Sequence, residues 1–281
     1  MSINNKTSET ALGIVSLRAL SNYEDNDKVN CHDDFAELFL PDDRKSLLHA
    51  ENSREMIKKN IPKGLYEYVI ARTKYFDDIY VEALKNDIEQ IVFLGAGYDS
   101  RPYRFANLIK KTKIFEVDTK PTQEHKLSLL QKNGTDTHKN VSFVSADFEK
   151  DDLLLLISKN GYVQSKQTLF IWEGVTFYLS YTAVIHMLKV LKENSGSNSK
   201  ICFDFQSIRN ENDLIQTGLK DETIKFGIPF GGIANFVKDN GYTIIEHINS
   251  NDMEKRFLTL ENGNLFGQIM PIMNFIFIEH D

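Results

Sequence analysis

The stretch Ile91-Val92-Phe93-Leu94-Gly95-Ala96-Gly97 decides the fold class, because a short apolar run ends there directly in a glycine turn. Four consecutive apolar residues are typical of a strand that is buried on both faces of a sheet. The two glycines allow a tight turn and let a ligand approach the backbone closely. This pattern is typical of the first strand of a sheet built from βαβ units.

Short apolar runs and segments of helical length alternate after this turn. We assign the further runs to strands, at residues 114–117, 141–144, 168–172, 201–205, 242–247 and 272–278. Helices are predicted between them, at residues 103–109, 121–131, 149–158 and 182–193. The alternation predicts an α/β fold with a mostly parallel sheet that is covered by helices on both faces.

The first 90 residues carry a helical pattern instead, with apolar residues at helical spacing in residues 10–20, 33–40 and 65–84. No repeat and no long linker divides the chain. We therefore expect a single domain over residues 1–281. Its parts would be a helical cap at 1–90 and a ligand-binding core at 91–281, with a lid insertion at 206–230.

Composition excludes several classes of protein. The 281 residues include 33 Lys and Arg against 40 Asp and Glu, a net charge of −7, which argues against a general nucleic-acid binder. The polar N-terminus lacks the apolar core of a signal peptide, and the apolar run at 269–278 is too short to span a membrane. Cys31 and Cys202 are read as reduced thiols, and the seven histidines show no metal-binding spacing. These features predict a cytoplasmic protein without a metal, nucleic-acid or membrane partner.

Acidic residues follow the predicted strands at the edge of the sheet where ligands bind in open α/β folds. Asp118 ends the second strand about 20 residues after Gly97, the offset at which an acid binds ribose hydroxyls. Asp147 and Phe148 follow the third strand, where they would contact the amine and the face of an adenine. Glu173 follows the fourth strand. Together these residues predict an adenosine-containing cofactor.

The glycine turn distinguishes between two such cofactors. A dinucleotide site requires G-x-G-x-x-G, but Ser100 stands in the third glycine position and Asp99 adds an anion beside the turn. An acid is unfavourable for a pyrophosphate and acceptable for S-adenosylmethionine, which carries a sulfonium and an ammonium. The turn therefore favours S-adenosylmethionine, and an NAD-dependent oxidoreductase remains a less favoured alternative.

The chain resembles the leucine carboxyl methyltransferase family, a branch of the class I S-adenosylmethionine-dependent methyltransferases. The resemblance runs loosely from residue 10 to the C-terminus. Its motifs are Ala71-Arg72-Thr73-Lys74-Tyr75-Phe76-Asp77, Leu94-Gly95-Ala96-Gly97-Tyr98-Asp99-Ser100-Arg101, Phe115-Glu116-Val117-Asp118, Ala146-Asp147 and Glu173-Gly174-Val175-Thr176-Phe177-Tyr178-Leu179. The resemblance implies a Rossmann-like, seven-stranded sheet with an antiparallel last strand, and S-adenosyl-L-methionine as the cofactor.

The resemblance also implies roles for individual residues. Arg72 would pair with the methionine carboxylate of the cofactor, and Glu173 would meet its ammonium. Asp118 would bind the ribose, and Asp147 with Phe148 would contact the adenine. The remaining cofactor-binding candidates lie in the same motifs, namely Gly95, Ala96, Gly97, Asp99, Arg101 and Glu116. Arg18 is a candidate for the basic residue that the family carries in its first helix.

Ordinary structural roles compete with several of these assignments. Asp99 and Arg101 could cap the next helix and pair with each other, and Asp118 and Asp147 also precede predicted helices. Arg72 taken alone would be read as one half of a surface salt bridge. For Arg72, the family resemblance favours the cofactor role.

The function that this implies is methyl transfer to an oxygen of a polyketide-like small molecule or of a carboxyl terminus. A carboxylate acceptor needs no general base, whereas a hydroxyl benefits from one. The sequence shows no unambiguous base and no assignable catalytic residue, which favours a carboxylate or an acidic phenol. Tyr178 and Arg209 are candidate substrate contacts. The alternative is a non-catalytic module that binds S-adenosylmethionine or S-adenosylhomocysteine.

Overall fold

The structure is a computed structural model that describes residues 8–148, 151–210, 214–215 and 223–280. Strands in these ranges are β1 Gln90–Leu94, β2 Lys113–Asp118, β3 Val141–Ser145, β4 Thr168–Trp172, β5 Lys200–Ile208, β6 Gly227–Pro229, β7 Thr243–Asn249 and β8 Met273–Glu279. Helices are α1 Glu9–Ser21, α2 Asp42–His49, α3 Glu51–Asn60, α4 Leu65–Lys85, α5 Arg101–Arg104, α6 Lys120–Lys132, α7 Leu153–Lys159, α8 Tyr181–Glu193, α9 Ile233–Asp239 and α10 Ser250–Met253.

The strands form one sheet in the order β3-β2-β1-β4-β5-β8-β7, and the short β6 pairs with β5 outside this path. Strands β1 to β5 run parallel to one another, while β8 runs antiparallel to both β5 and β7. The prediction of a Rossmann-like, mostly parallel sheet with an antiparallel last strand is thereby confirmed. Because β1 lies between β2 and β4, the chain crosses in opposite directions on its two sides, and a crevice opens at its carboxyl end.

Helices cover both faces of the sheet because the side chains of β1 alternate between two apolar clusters. Ile91 and Phe93 face the cluster that contains the apolar residues of α1 and α4. Val92 and Leu94 face the cluster that contains those of α8 and α9. The N-terminal helices therefore share a core with the sheet. The division into a cap, a core and a lid stays a prediction, and residues 211–213 and 216–222 of the lid lie outside the described residues.

Three helical segments differ from the sequence-based expectation. The helix expected at 103–109 is the single turn α5, followed by a 3-10 turn at Ala106–Leu108, because the inward side chains of α5 are arginines held by Asp77 rather than an apolar stripe. Of residues 33–40, only Glu37–Phe39 form a 3-10 turn. The helix expected at 149–158 begins at Leu153, and residues 149–150 are not described.

Helices α2 and α3 were not predicted from the sequence. Leu48 is the only buried residue of α2, and α3 buries none. A helix that buries almost nothing has no apolar stripe from which it can be recognised. Among the described helices, none combines the length and the apolar character that crossing a membrane would require.

Candidate cofactor site

The glycine turn after β1 is hydrogen-bonded to the neighbouring strand β2. The N–H groups of Gly95 and Ala96 both donate to the carbonyl oxygen of Val117, at 2.9 Å. Gly95 has a φ of +77°, and a Cβ atom at this position would collide with Cγ2 of Val175 in the turn that follows β4. Only glycine meets both constraints, so the turn brings bare backbone to the carboxyl ends of β1 and β4.

Asp118 lies beside this turn with its carboxylate held in place. The N–H of Gly97 donates to its Oδ2 at 2.6 Å, and the N–H of Thr119 donates to its Oδ1 at 2.6 Å. Burial raises the pKa of Asp118, and these two backbone hydrogen bonds oppose the shift. Thr119, not Asp118, is the N-cap residue of α6. A carboxylate fixed in this way keeps lone pairs for further donors such as a pair of hydroxyls.

Arg72 and Glu173 meet at the carboxyl end of β4. Arg72 Nε lies 2.9 Å from Glu173 Oε1, and the two side chains are 6% and 11% exposed. Burial alone would lower the pKa of Arg72, but Glu173, Tyr68 and Asp204 raise it, so the side chain stays a cation. Neither Arg72 Nε nor Glu173 Oε2 makes a well-oriented hydrogen bond. A guanidinium beside a carboxylate has the chemistry to pair with both the carboxylate and the ammonium of an amino acid.

Asp204 and Tyr68 hold Arg72 in place, and neither was predicted from the sequence as part of the site. The hydroxyl of Tyr68 donates to Asp204 Oδ2 at 2.6 Å, and the N–H of Gly174 donates to Oδ1 at 2.7 Å. Arg72 Nη1 lies 3.3 Å from the same Oδ2. A signal existed for each: Asp204 is a carboxylate inside an otherwise apolar strand, and Tyr68 precedes Arg72 by one helical turn.

Arg101 supports Glu173 from inside the protein. Its side chain is 1% exposed, and its Nη1 lies 2.8 Å from Glu173 Oε2 and 2.5 Å from Asp99 Oδ2. Its Nε lies 2.8 Å from Asp77 Oδ1. The backbone N–H of Arg101 donates to Asp99 Oδ1 at 2.9 Å. Asp99 and Arg101 thus pair with each other, as the structural alternative expected, and a direct cofactor contact by either stays a prediction.

Two further charged candidates point into the protein interior. The carboxylate of Glu116 forms an ion pair with Lys126 at 2.6 Å. It also accepts a 3.2 Å hydrogen bond from the hydroxyl of Tyr103. A cofactor contact by Glu116 also stays a prediction, and this arrangement gives its carboxylate an internal partner instead. Arg18 donates from Nη2 to the carbonyl oxygen of Tyr98 at 2.6 Å, so the first helix reaches the glycine turn.

The remaining candidates lie around the same edge of the sheet. Asp147 and Phe148 are half-buried directly after β3, and the N-cap of α7 is Asp152 rather than Asp147. Tyr178 is half-buried in the 3-10 turn Thr176–Tyr178 that follows Glu173. Arg209 is exposed just past β5, with its guanidinium 5.8 Å from the ring centroid of Phe230.

Within the described ranges, no group of three or more His, Cys, Asp or Glu side chains could hold a metal ion. Cys31 and Cys202 are buried free thiols. Burial raises the pKa of the Cys202 thiol, and Asp204 adds to the shift. The charged groups assembled at the carboxyl ends of the strands are therefore carboxylates and guanidinium groups.

Several relatives align with this chain. A Streptomyces coelicolor protein is 34% identical over 133 residues, which cover 47% of this chain and 46% of that protein. A Streptomyces avermitilis protein is 28% identical over 204 residues, 68% of this chain and 66% of that protein. YktD of Bacillus subtilis is 25% identical over 206 residues, with coverages of 70% and 67%. All three are assigned to the S-adenosyl-L-methionine-dependent methyltransferases, and the chain spans between about half and two thirds of their lengths.

A solved S-adenosylmethionine-dependent methyltransferase from Clostridium acetobutylicum superposes with a TM-score of 0.49 at 9% identity, over 83% of this chain and 97% of that one. At this sequence identity and TM-score, the similarity does not indicate a function. The model of the leucine carboxyl methyltransferase family, by contrast, matches residues 11–192, well over half of the chain. That match includes Arg72, the glycine turn, Asp118 and Glu173, and it shows that the chain belongs to the leucine carboxyl methyltransferase family.

Proposed function

We propose that this chain is an S-adenosylmethionine-dependent O-methyltransferase. The observation that carries the proposal is the buried pair of Arg72 and Glu173 at the end of β4, on the same edge of the sheet as Asp118. An arginine beside a glutamate offers a partner to each charge of an amino-acid group, and Asp118 offers a partner to ribose hydroxyls. Family membership supports the same cofactor.

Each residue then has one task in binding. Arg72 holds the methionine carboxylate and Glu173 holds the ammonium, while Asp118 accepts from the ribose hydroxyls. Asp147 and Phe148 contact the adenine. Asp204 and Arg101 keep Arg72 and Glu173 in position through the ion pairs described above.

S-adenosylmethionine supplies an electrophilic methyl group when it is bound. The protein's part is to hold an acceptor oxygen in line with the carbon–sulfur bond and to exclude water. A carboxylate acceptor is already ionised near neutral pH and needs no proton removed. This favours a carboxylate of a small polyketide-like molecule or of a carboxyl terminus over a plain hydroxyl. Tyr178 and Arg209, which follow β4 and β5, are the proposed acceptor contacts.

The test is transfer of a labelled methyl group from S-adenosylmethionine into fractionated cell extract. We expect a labelled product that releases methanol in mild alkali, as a methyl ester does. The Glu173→Gln variant should lose most of this transfer. Methylation at nitrogen or carbon, which mild alkali leaves intact, would contradict the O-methyl assignment.

Two alternatives make different predictions in the same assay. A non-catalytic module would bind S-adenosylhomocysteine and transfer no label into any fraction. An NAD-dependent oxidoreductase would bind nicotinamide cofactors, which Ser100 in the third glycine position disfavours. The buried free thiols Cys31 and Cys202 support the cytoplasm as the location that we propose.

A further inference from the structure

A cavity of about 630 Å³ lies beside α4, with Lys74, Asp77 and Asp78 of that helix in its lining. This volume is typical of sites for small molecules. Three parts of the chain form its walls: the segment that follows α1, the outer face of α4 with the end of α5, and the π-helix Glu254–Leu258. Its lining includes Lys28, His32, Phe35, Lys74, Arg104 and Phe257.

The cavity is separate from the proposed cofactor site. None of the proposed cofactor-binding residues lines it. Asp77 lines the cavity and lies 2.8 Å from Arg101 Nε, and the opposite end of that guanidinium lies 2.8 Å from Glu173. Arg101, whose side chain is 1% exposed, therefore lies between the cavity-lining Asp77 and Glu173 of the proposed cofactor site.

Two uncommon backbone conformations face this cavity. His32 adopts a φ of +50°, which costs a residue with a side chain roughly 1–2 kcal/mol. The π-helix Glu254–Leu258 directs Arg256 and Phe257 toward the cavity. Conformations of these kinds are rare and concentrate at ligand sites. Their convergence on one cavity indicates a site built for a ligand rather than a packing gap.

The lysines carry the positive charge that is available to a ligand. Arg104 donates from Nη1 and Nη2 to both carboxylate oxygens of Asp77, at 2.8 and 2.7 Å. Arg256 is paired with Asp78 and Glu246, at 3.2 and 3.0 Å. In the described part of the chain Lys28 has no carboxylate within ion-pair distance. Lys74 Nζ makes one long contact of 3.5 Å with the carbonyl oxygen of Asp27.

The remaining lining residues indicate which kind of molecule could carry the anionic group. Phe35, Phe105 and Phe257 supply aromatic surface. Asp34 and Asp78 also line the cavity and would repel a dianion more strongly than a monoanion. We propose that this cavity binds a small monocarboxylate with an aromatic or apolar body, through Lys28 and Lys74. This site is additional to the methyltransferase function and does not depend on it.

The experiment is a calorimetric titration of the full chain with phenylacetate, benzylamine and phenyl phosphate as probes. Phenylacetate should bind with a Kd below about 1 mM. The double variant Lys28→Glu, Lys74→Glu should weaken this binding at least about tenfold, since it replaces two attractive charges by two repulsive ones. Lys159→Glu, on the exposed end of α7, is the matched control and should leave phenylacetate binding unchanged.

Several results would overturn the proposal. These are no saturable binding of phenylacetate, equal binding of benzylamine, tighter binding of phenyl phosphate, or unchanged binding by the double variant. Displacement of phenylacetate by S-adenosylhomocysteine would assign it to the cofactor site instead. Circular dichroism checks that the double variant is folded. If it is not, Lys28→Glu alone, at an exposed residue, provides the same test with a smaller expected loss.

Discussion

At the residue scale, Asp204 is the side chain that connects the parts of the candidate site. It is fully buried and accepts hydrogen bonds from the hydroxyl of Tyr68 and the N–H of Gly174, and it pairs with Arg72. Burial raises the pKa of Asp204, and Arg72 acts against that shift. The orientation of Arg72 therefore depends on a residue that does not itself need to contact a ligand.

Tyr68→Phe should lower both stability and cofactor affinity, because it removes one hydrogen bond to a buried carboxylate. We expect a loss of about 1.5–3 kcal/mol in the free energy of unfolding. The affinity for S-adenosylhomocysteine should fall several-fold as Arg72 loses its fixed position. Tyr66→Phe is the matched control. Tyr66 lies two residues before Tyr68 on α4, and its hydroxyl donates to Glu24 at 2.6 Å. Equal losses of affinity in the two variants would contradict the positioning role of Tyr68.

His125 should make the stability depend on pH. Its Nδ1 lies 2.6 Å from the hydroxyl of Tyr98 in the glycine turn, and burial lowers the pKa of His125. The folded state therefore binds a proton less readily than the unfolded state, and stability is lost as the pH falls below about 6.5. Chemical denaturation between about pH 7.5 and 5.5 should show a smaller loss for His125→Gln than for the wild type. His186→Gln, on the exposed face of α8, should behave like the wild type.

At the scale of elements, the turns after β1 and β4 are packed so closely that they constrain each other. Gly95→Ala places a Cβ atom against Cγ2 of Val175 in a left-handed conformation. We expect a loss of about 2–4 kcal/mol in the free energy of unfolding. Gly134→Ala is the control for the backbone alone, since its φ is +66° and no atom lies within 4 Å of the added Cβ.

Val175→Ala should rescue part of this loss, because it removes the atom that the new methyl group meets. The double variant Gly95→Ala, Val175→Ala is therefore expected to be more stable to denaturant than Gly95→Ala alone. A double variant that is less stable than Gly95→Ala alone would show that the two turns are not in the contact described here.

The pair of Glu116 and Lys126 joins β2 to α6 inside the protein. Both side chains are almost fully buried and 2.6 Å apart. Lys126→Met should cost about 3–5 kcal/mol of stability, because it leaves a buried carboxylate without its partner. The double variant Glu116→Gln, Lys126→Met should recover much of that loss. If the single and double variants melt at the same temperature, the pair does not have the structural role that its geometry indicates.

Some elements could be predicted from the local sequence pattern, and others could not. The bounds predicted for β4 coincide with Thr168–Trp172, because a run of buried residues between turns is a local signal. The acids at the strand ends could be found for the same reason. The contact of Tyr68 with Asp204 spans 136 positions, and spacing alone does not reveal it. The exposed helix α3 has no apolar stripe and could not be recognised.

At the scale of the whole molecule, the fold and the proposed cofactor site depend on the same charged network. A chain of ion pairs of 2.8 to 2.9 Å runs from the outer face of α4 to the end of β4. Its members, in order, are Asp77, Arg101, Glu173 and Arg72. A ligand that binds Arg72 and Glu173 therefore acts on groups that also hold helices against the sheet. Binding should stabilise the whole chain by mass action.

Isothermal titration of the purified chain with S-adenosylhomocysteine, in parallel for wild type and Asp118→Ala, tests the proposed cofactor site most directly. Wild type should bind one equivalent and gain about 2.7 kcal/mol of stability at a hundred times its Kd. Asp118→Ala should bind at least about tenfold more weakly, while Glu124→Gln, on the exposed face of α6, should bind like wild type. No binding by the wild type, or undiminished binding by Asp118→Ala, would contradict the site proposed here.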